Sequence, residues 1–204
     1  MRIELDHIAV SAGTLEAGRT ALEELLGVTL QPGGAHAHFG THNLLLGLED
    51  GLYLEVIATD PAVDAPAMPR WFDLDRFAGA PRLTNWICRT PDLAAALTAL
   101  PEAGRPVALK RGDLRWRMAV PDDGQLPFDN GFPALMEWQG ADHPARRLVV
   151  SGCRLHRLVI RHPEAAALRV RLAPYLSDPR IAFETEAAGL MAEIETPAGI
   201  RVLQ

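Results

Sequence analysis

Short apolar runs, each followed by leucines at helical spacing, open three stretches of this chain. The runs are residues 5–10, 83–88 and 155–160, and each has the length and composition of a buried strand. After the first, Thr14 is placed to cap a helix that carries Leu15, Leu22, Leu25 and Leu26 on one face, and Gly27 is placed to end it. After the second, Thr90 caps and Pro91 suits the first turn. Leu93, Leu97 and Leu100 then form the apolar stripe before Pro101 and Gly104 stop it. The third run leads through Pro163 into an alanine-rich helix with Leu168, Val170 and Leu172.

Further strand-like runs follow each helix. The first unit has them at residues 37–39, 43–48 and 52–58, the last two joined by the tight turn Glu49-Asp50-Gly51. The second has them at 107–110, 114–120 and 134–139, with a Pro/Asp/Gly-rich loop at 121–133. The third has them at 181–184, 190–195 and 200–203. Tyr53-Leu54-Glu55-Val56 and Leu135-Met136-Glu137-Trp138 set one acid at matching places in two closing strands, whereas the third closing strand has none. The pattern predicts an α+β chain. A first βαβββ module spans 1–60, a packed connection with Trp71, Phe72 and Phe77 spans 61–81, and a second module spans 82–140. A degenerate third at 153–204 completes one compact unit.

Composition narrows the partners. Of 204 residues 48% are apolar, enough for a sizeable core, and the formal net charge is −6 with basic residues scattered. No positive surplus is available for phosphate backbones, so nucleic acid is not an expected partner. Glu4 and Asp6 interrupt the opening run, and no stretch approaches the roughly 20 apolar residues that span a bilayer. A soluble, cytoplasmic protein without membrane contact is expected. Cys88 and Cys153 belong to no Cys-x-x-Cys pattern and read as small buried hydrophobes.

A strand opening with Asp-His, then a helix, then a strand with Leu-Glu resembles the modules of the vicinal oxygen chelate superfamily. Gly40-Thr41-His42-Asn43, Tyr53 to Ala58, Leu114-Arg115-Trp116-Arg117, Glu137-Trp138 and His143-Pro144 resemble its glyoxalase-like subgroup. The resemblance implies curved, mostly antiparallel sheets that face one another around a small-molecule cleft, often with a divalent metal. It also implies that the first and fourth strands of a module are neighbours. Fold alone leaves the chemistry open among lyases, isomerases, dioxygenases and metal-free binders.

Alternation then sets the candidate site. If Leu52, Leu54 and Val56 face the helix, Tyr53 and Glu55 face the cleft, and the same reasoning turns His7 inward. In the second module it nominates Asn85 and Glu137 and leaves Trp86 and Trp138 on the helix side. His7, Glu55 and Glu137 are therefore the expected metal ligands, with Mn, Fe, Zn or Mg as the options and no nucleotide cofactor. The expected catalytic groups are Glu55, Glu137 and His42. Asn85, Arg115, Arg117, Asn43 and Tyr53 are expected to bind substrate, the two arginines as a clamp for an anion or as solvent-facing residues. His36 reads as a solvated loop residue, and the direction of His156 stays open. The functional expectation is a metal-dependent small-molecule enzyme, with a metal-free protein that sequesters a small anion as the alternative and a homodimer as an option.

Overall fold

Periodicity resolves into twelve strands and three α-helices in the computed structural model, which describes residues 1–204. The first unit is β1 (Glu4–Ser11), α1 (Leu15–Leu26), β2 (Gln31–His36), β3 (Thr41–Leu48) and β4 (Leu52–Thr59). The second is β5 (Arg82–Arg89), α2 (Leu93–Ala99), β6 (Arg105–Arg111), β7 (Leu114–Val120) and β8 (Ala134–Trp138). The third is β9 (Arg154–Arg161), α3 (Ala165–Leu172), β10 (Ile181–Glu184), β11 (Gly189–Thr196) and β12 (Gly199–Leu203).

Local chemistry explains the boundaries. Thr14 accepts a hydrogen bond from Ala17 N, and Gly27 takes the left-handed conformation at φ 69° that ends α1, as its sequence predicts. The cap of α2 falls two residues later than predicted. Asp92, not Thr90, accepts from Ala95 N, because Pro91 holds the chain extended before the helix starts. The second strand also moves: it occupies 31–36 instead of 37–39. Pro32-Gly33-Gly34 reads as a turn in sequence, yet proline and glycine are tolerated on an edge strand, and β2 is one.

The first two units build one eight-stranded sheet in the order β2-β3-β4-β1-β5-β8-β7-β6. β1 is parallel to β4, β5 is parallel to β8, and β1 joins β5 antiparallel, so the halves meet edge to edge with the same strand order reversed. The sheet curls until its outer strands β2 and β6 touch. The inside of the curl is the cleft, while the outside carries α1 and α2. The third unit forms a separate sheet, β10-β9-β11-β12, whose first strand is interior, so it does not repeat the order of the other two. It packs through β11 on β5. Trp71 and Phe72 of the connection are buried against the body. No helix is long and apolar enough to cross a membrane.

Trp86 joins these layers. It is fully buried in β5, donates from Nε1 to the Gly131 carbonyl at 2.8 Å and meets the Phe183 ring edge-on. Trp86→Ala is expected to lower unfolding free energy by about 3–5 kcal/mol, the usual cost of emptying a large aromatic site. Trp86→Phe should cost roughly 1–3 kcal/mol through the orphaned carbonyl, both values read by denaturant titration.

Candidate functional site

The site begins with an irregularity. In β1, Leu5 pairs with Cys88 and His7 with Ile87, so Asp6 is an extra residue, a β-bulge against β5. A bulge re-aims side chains. Asp6 and His7 therefore bond to each other although neighbours on a regular strand point to opposite faces: His7 Nδ1 donates to Asp6 Oδ1 at 2.6 Å. The other Asp6 oxygen accepts from Trp138 Nε1 at 3.0 Å and from His143 Nε2 at 2.9 Å. His143 accepts from Ala145 N through Nδ1, which leaves the proton on Nε2 for Asp6.

On its far side, His7 Nε2 lies 3.6 Å from Glu55 Oε2. Glu55 accepts from Asn43 Nδ2 at 2.5 Å through its other oxygen. The Tyr53 ring stacks on His7 with centroids 4.2 Å apart. Asp6, His7 and Glu55 are all buried, so each charge has to be compensated locally. Burial alone would favour the neutral forms. For His7 it is outweighed by the carboxylates of Asp6 and Glu55, which raise the imidazole above its ordinary value. For Glu55 it is outweighed chiefly by His7, which holds the carboxyl at about 2. For Asp6 the two imidazoles of His143 and His7 outweigh it and hold the carboxyl far below the ordinary range. Burial also pushes the Tyr53 phenol well up, so it stays neutral.

These groups floor a narrow recess with about 30 Å³ of free interior, walled by Trp71, Phe72, Trp116, Met118, Met136 and Trp138. Arg111, from the end of β6, crosses its mouth. The guanidinium donates to Asn43 Oδ1 at 3.0 Å and sits 3.4 Å from His36 Nε2. His36 is held at about 4, first by burial and then by Arg111 working against the attraction of Glu55, so it is neutral, and its Nδ1 faces Thr41 Oγ1. Arg111 thus has neutral partners only. Room for it comes from Gly33 and Gly34: a Cβ on Gly33 would lie 2.0 Å from Asn43 Oδ1, and one on Gly34 would lie 2.8 Å from the Arg111 Cδ.

Of the residues expected from sequence, His7, Glu55, Asn43 and Tyr53 come together. Glu137 does not. His7 pairs with Tyr53, and Glu55 is two residues on, hence on the same face. Ile87, opposite His7, pairs with Ala134, and Glu137 is three residues on, hence on the other face. The two Leu/Glu motifs match in sequence but are out of phase in the pleat. Glu137 instead accepts from Leu93 N at the start of α2 at 2.7 Å and from Arg117 at 2.6 Å. Arg117 and Arg115 accordingly lie outside the cleft, while Trp138, read from sequence as helix-side, lines it together with Trp116. His42 lies on the opposite face of β3 from Asn43, with Asp60 3.9 Å away. His36, read as a solvated loop residue, is buried at the cleft, and His156 is exposed beside Glu193. Asn85 is buried on the cleft face opposite Ala9, below the recess, with neither amide atom bonded to protein.

The expected metal set is not assembled. His7 and Glu55 offer only two donor atoms, Nε2 and Oε2. The second half offers Ile87, Ala134, Met136 and Trp138 on the inner face, and no three His, Cys, Asp or Glu side chains are arranged to hold an ion. A divalent metal needs a fuller shell, so the residues present do not fit one.

The chain matches the profile of the Glyoxalase-like domain over residues 5–176 and belongs to that family, within the vicinal oxygen chelate superfamily. A hypothetical protein from Staphylococcus aureus is similar in structure, with TM-score 0.58 at 13% identity over 99% of this chain and 84% of that one. Methylmalonyl-CoA epimerase from Mycobacterium tuberculosis is matched at TM-score 0.44 and 21% identity over 68% of this chain and 88% of that one. The Streptomyces coelicolor enzyme in complex with 2-nitronate-propionyl-CoA is matched at TM-score 0.44 and 16% identity over 70% and 100%. No curated protein sequence matches the chain.

Two outcomes follow from the geometry. The raised His7 stabilises the fold fully below its unfolded value of 6.5, and that contribution is lost as pH rises through the folded value. The depressed Glu55 contributes fully above 4.5, and its contribution is lost as pH falls towards about 2. Unfolding free energy measured against pH should therefore fall on both sides of a plateau, and His7→Asn should remove the alkaline fall. Glu137→Gln should lower unfolding free energy at neutral pH by about 1 kcal/mol of capping through α2 and leave the alkaline fall unchanged, while weakening the acid fall, because the Leu93 N–H and Arg117 outweigh burial and hold this carboxyl below its ordinary value.

Proposed function

We propose that the cleft is the active centre of a small-molecule enzyme that moves a proton at a carbon beside a carbonyl group, on a substrate bearing an anionic group. The observation that carries this reading is the buried His7 imidazole between Asp6 and Glu55, opening on a recess whose mouth holds the Arg111 guanidinium. Glu55 is ionised at neutral pH, and although its pairing with His7 makes it a weak base, a substrate carbonyl that takes the His7 N–H releases the carboxylate to take a proton from carbon. The electron pair moves to the carbonyl oxygen, where the His7 N–H and Arg111 supply positive charge that is in place before the reaction starts. Glu55 then returns the proton to carbon or passes it on. Asp6 is the positioning residue: its bond to Nδ1 fixes the imidazole and keeps Nε2 for the substrate. Asn43 holds Glu55 and Arg111 at once. Aromatic walls exclude water, which strengthens each of these charges.

A second reading is favoured by the enclosure itself. Trp71, Phe72, Trp116 and Trp138 surround the recess on several sides, which suits a metal-free protein that holds a small anion without turnover.

Deuterium exchange of pyruvate and oxaloacetate, followed by NMR in D2O and corrected for the uncatalysed rate, separates the two. Wild type should exchange, while Glu55→Gln and His7→Asn should lose about 10²–10⁴-fold. The dependence on pH should show its alkaline limb above the ordinary histidine value of 6.5. Equal rates in wild type and Glu55→Gln would sink the acid–base reading, and saturable binding of these acids without exchange would favour the second. Elemental analysis of untagged protein is the companion measurement. Stoichiometric metal, lost in Glu55→Gln, would replace Arg111 as the source of positive charge.

A further inference from the structure

Outside the cleft, where β2 and β6 touch, lies an open recess of about 710 Å³. Its eleven lining residues include Lys110, Arg111 and Arg115 and not one Asp or Glu. In a chain of net charge −6, with most arginines held in ion pairs, this acid-free concavity is out of character. Lys110 and Arg115 stand directly opposite each other on β6 and β7. Like charges in that position destabilise a sheet. Arg115 bonds only to the Gly112 carbonyl, at 3.3 Å, and Arg111 has the neutral partners already described.

Three residues belong to this recess and to the cleft together. His36, Arg111 and Trp116 line both, and the guanidinium is the charged part of the partition between them. Its stem rests on Gly34, and nothing but an amide and a neutral imidazole holds its head. An anion arriving from the basic side would meet Lys110 and Arg115 first and Arg111 next.

We infer that the seam between β2 and β6 binds the anionic end, a phosphate or a carboxylate, of a ligand whose carbonyl-bearing end lies in the cleft. Lys110 and Arg115 hold that end outside, and Arg111 holds it at the threshold. The assignment rests on reading the cleft as a small-molecule site, and it adds the second contact that such a ligand must make.

Inorganic phosphate and succinate, used as separate titrants, test the seam without turnover. Tryptophan fluorescence is the readout, because Trp116 borders both spaces. Saturable binding is expected for at least one anion, weakened by added salt. It should fall about tenfold or more in Lys110→Gln/Arg115→Gln, as for lost charge-assisted contacts, and stay unchanged in Arg201→Gln. The tighter titrant assigns the group as phosphate or carboxylate. Equal affinity in the double variant and wild type, or no saturable response to either anion, overturns the proposal. A failure of the acid–base reading appears in the exchange rates, and a failure of the seam in the titrations.

Discussion

A carboxylate that no water reaches has to be matched by donors and positive charge, and Asp6 is fully buried in the wall of this sheet. The cleft depends on how that demand is met. His7 supplies the charge, and His143 and Trp138 supply further donors, from β1, the loop after β8 and the end of β8 itself. One side chain therefore ties the two halves of the sheet and the closing segment to a single imidazole. The bulge that turns Asp6 towards His7 is a local defect in pairing, and the orientation of His7 follows from it.

The two halves share a strand order but not a chemistry. The first contributes His7, Glu55, Asn43 and Tyr53 to the cleft. The second contributes Trp116, Met118, Met136 and Trp138 as walls, and a single cation, Arg111, at the mouth. A one-residue difference in phase between the closing strands produces this division, because it turns Glu137 to the helix. There the carboxylate accepts from the first amide of α2 and pairs with Arg117, so the same residue type stabilises a helix in one half and faces the cleft in the other.

Much of this was legible in the sequence. The three strand-helix openings, the turn at Glu49-Asp50-Gly51 and the inward set of His7, Tyr53 and Glu55 follow from periodicity and from the resemblance of the Asp-His and Leu-Glu motifs. What escaped has identifiable physical causes. Alternation assumes an unbroken pleat, so it hid Asp6, which sits at the bulge, and it failed for Glu137, where the match was made in sequence and not in register. Trp138 was misplaced with it. β2 was hidden because proline and glycines are poor strand formers, although an edge strand accepts them. With β2 misplaced, His36 read as a loop residue and Arg111 had no visible partner. The Gly33-Gly34 pair was the available clue, since two adjacent glycines leave space that something must occupy.

The contact between β2 and β6 has a consequence beyond ligand entry. A curled sheet that stops short of closing leaves two rows of backbone groups free to pair with other chains, the usual route to fibrous association. Here the rows shelter each other, and each carries a proline, Pro32 on one and Pro106 on the other, that interrupts its run of donors. The Arg111 side chain spans the gap between them. Any condition that parts the two strands bares both rows at once, so the closure that shapes the mouth also keeps these edges from pairing with other chains.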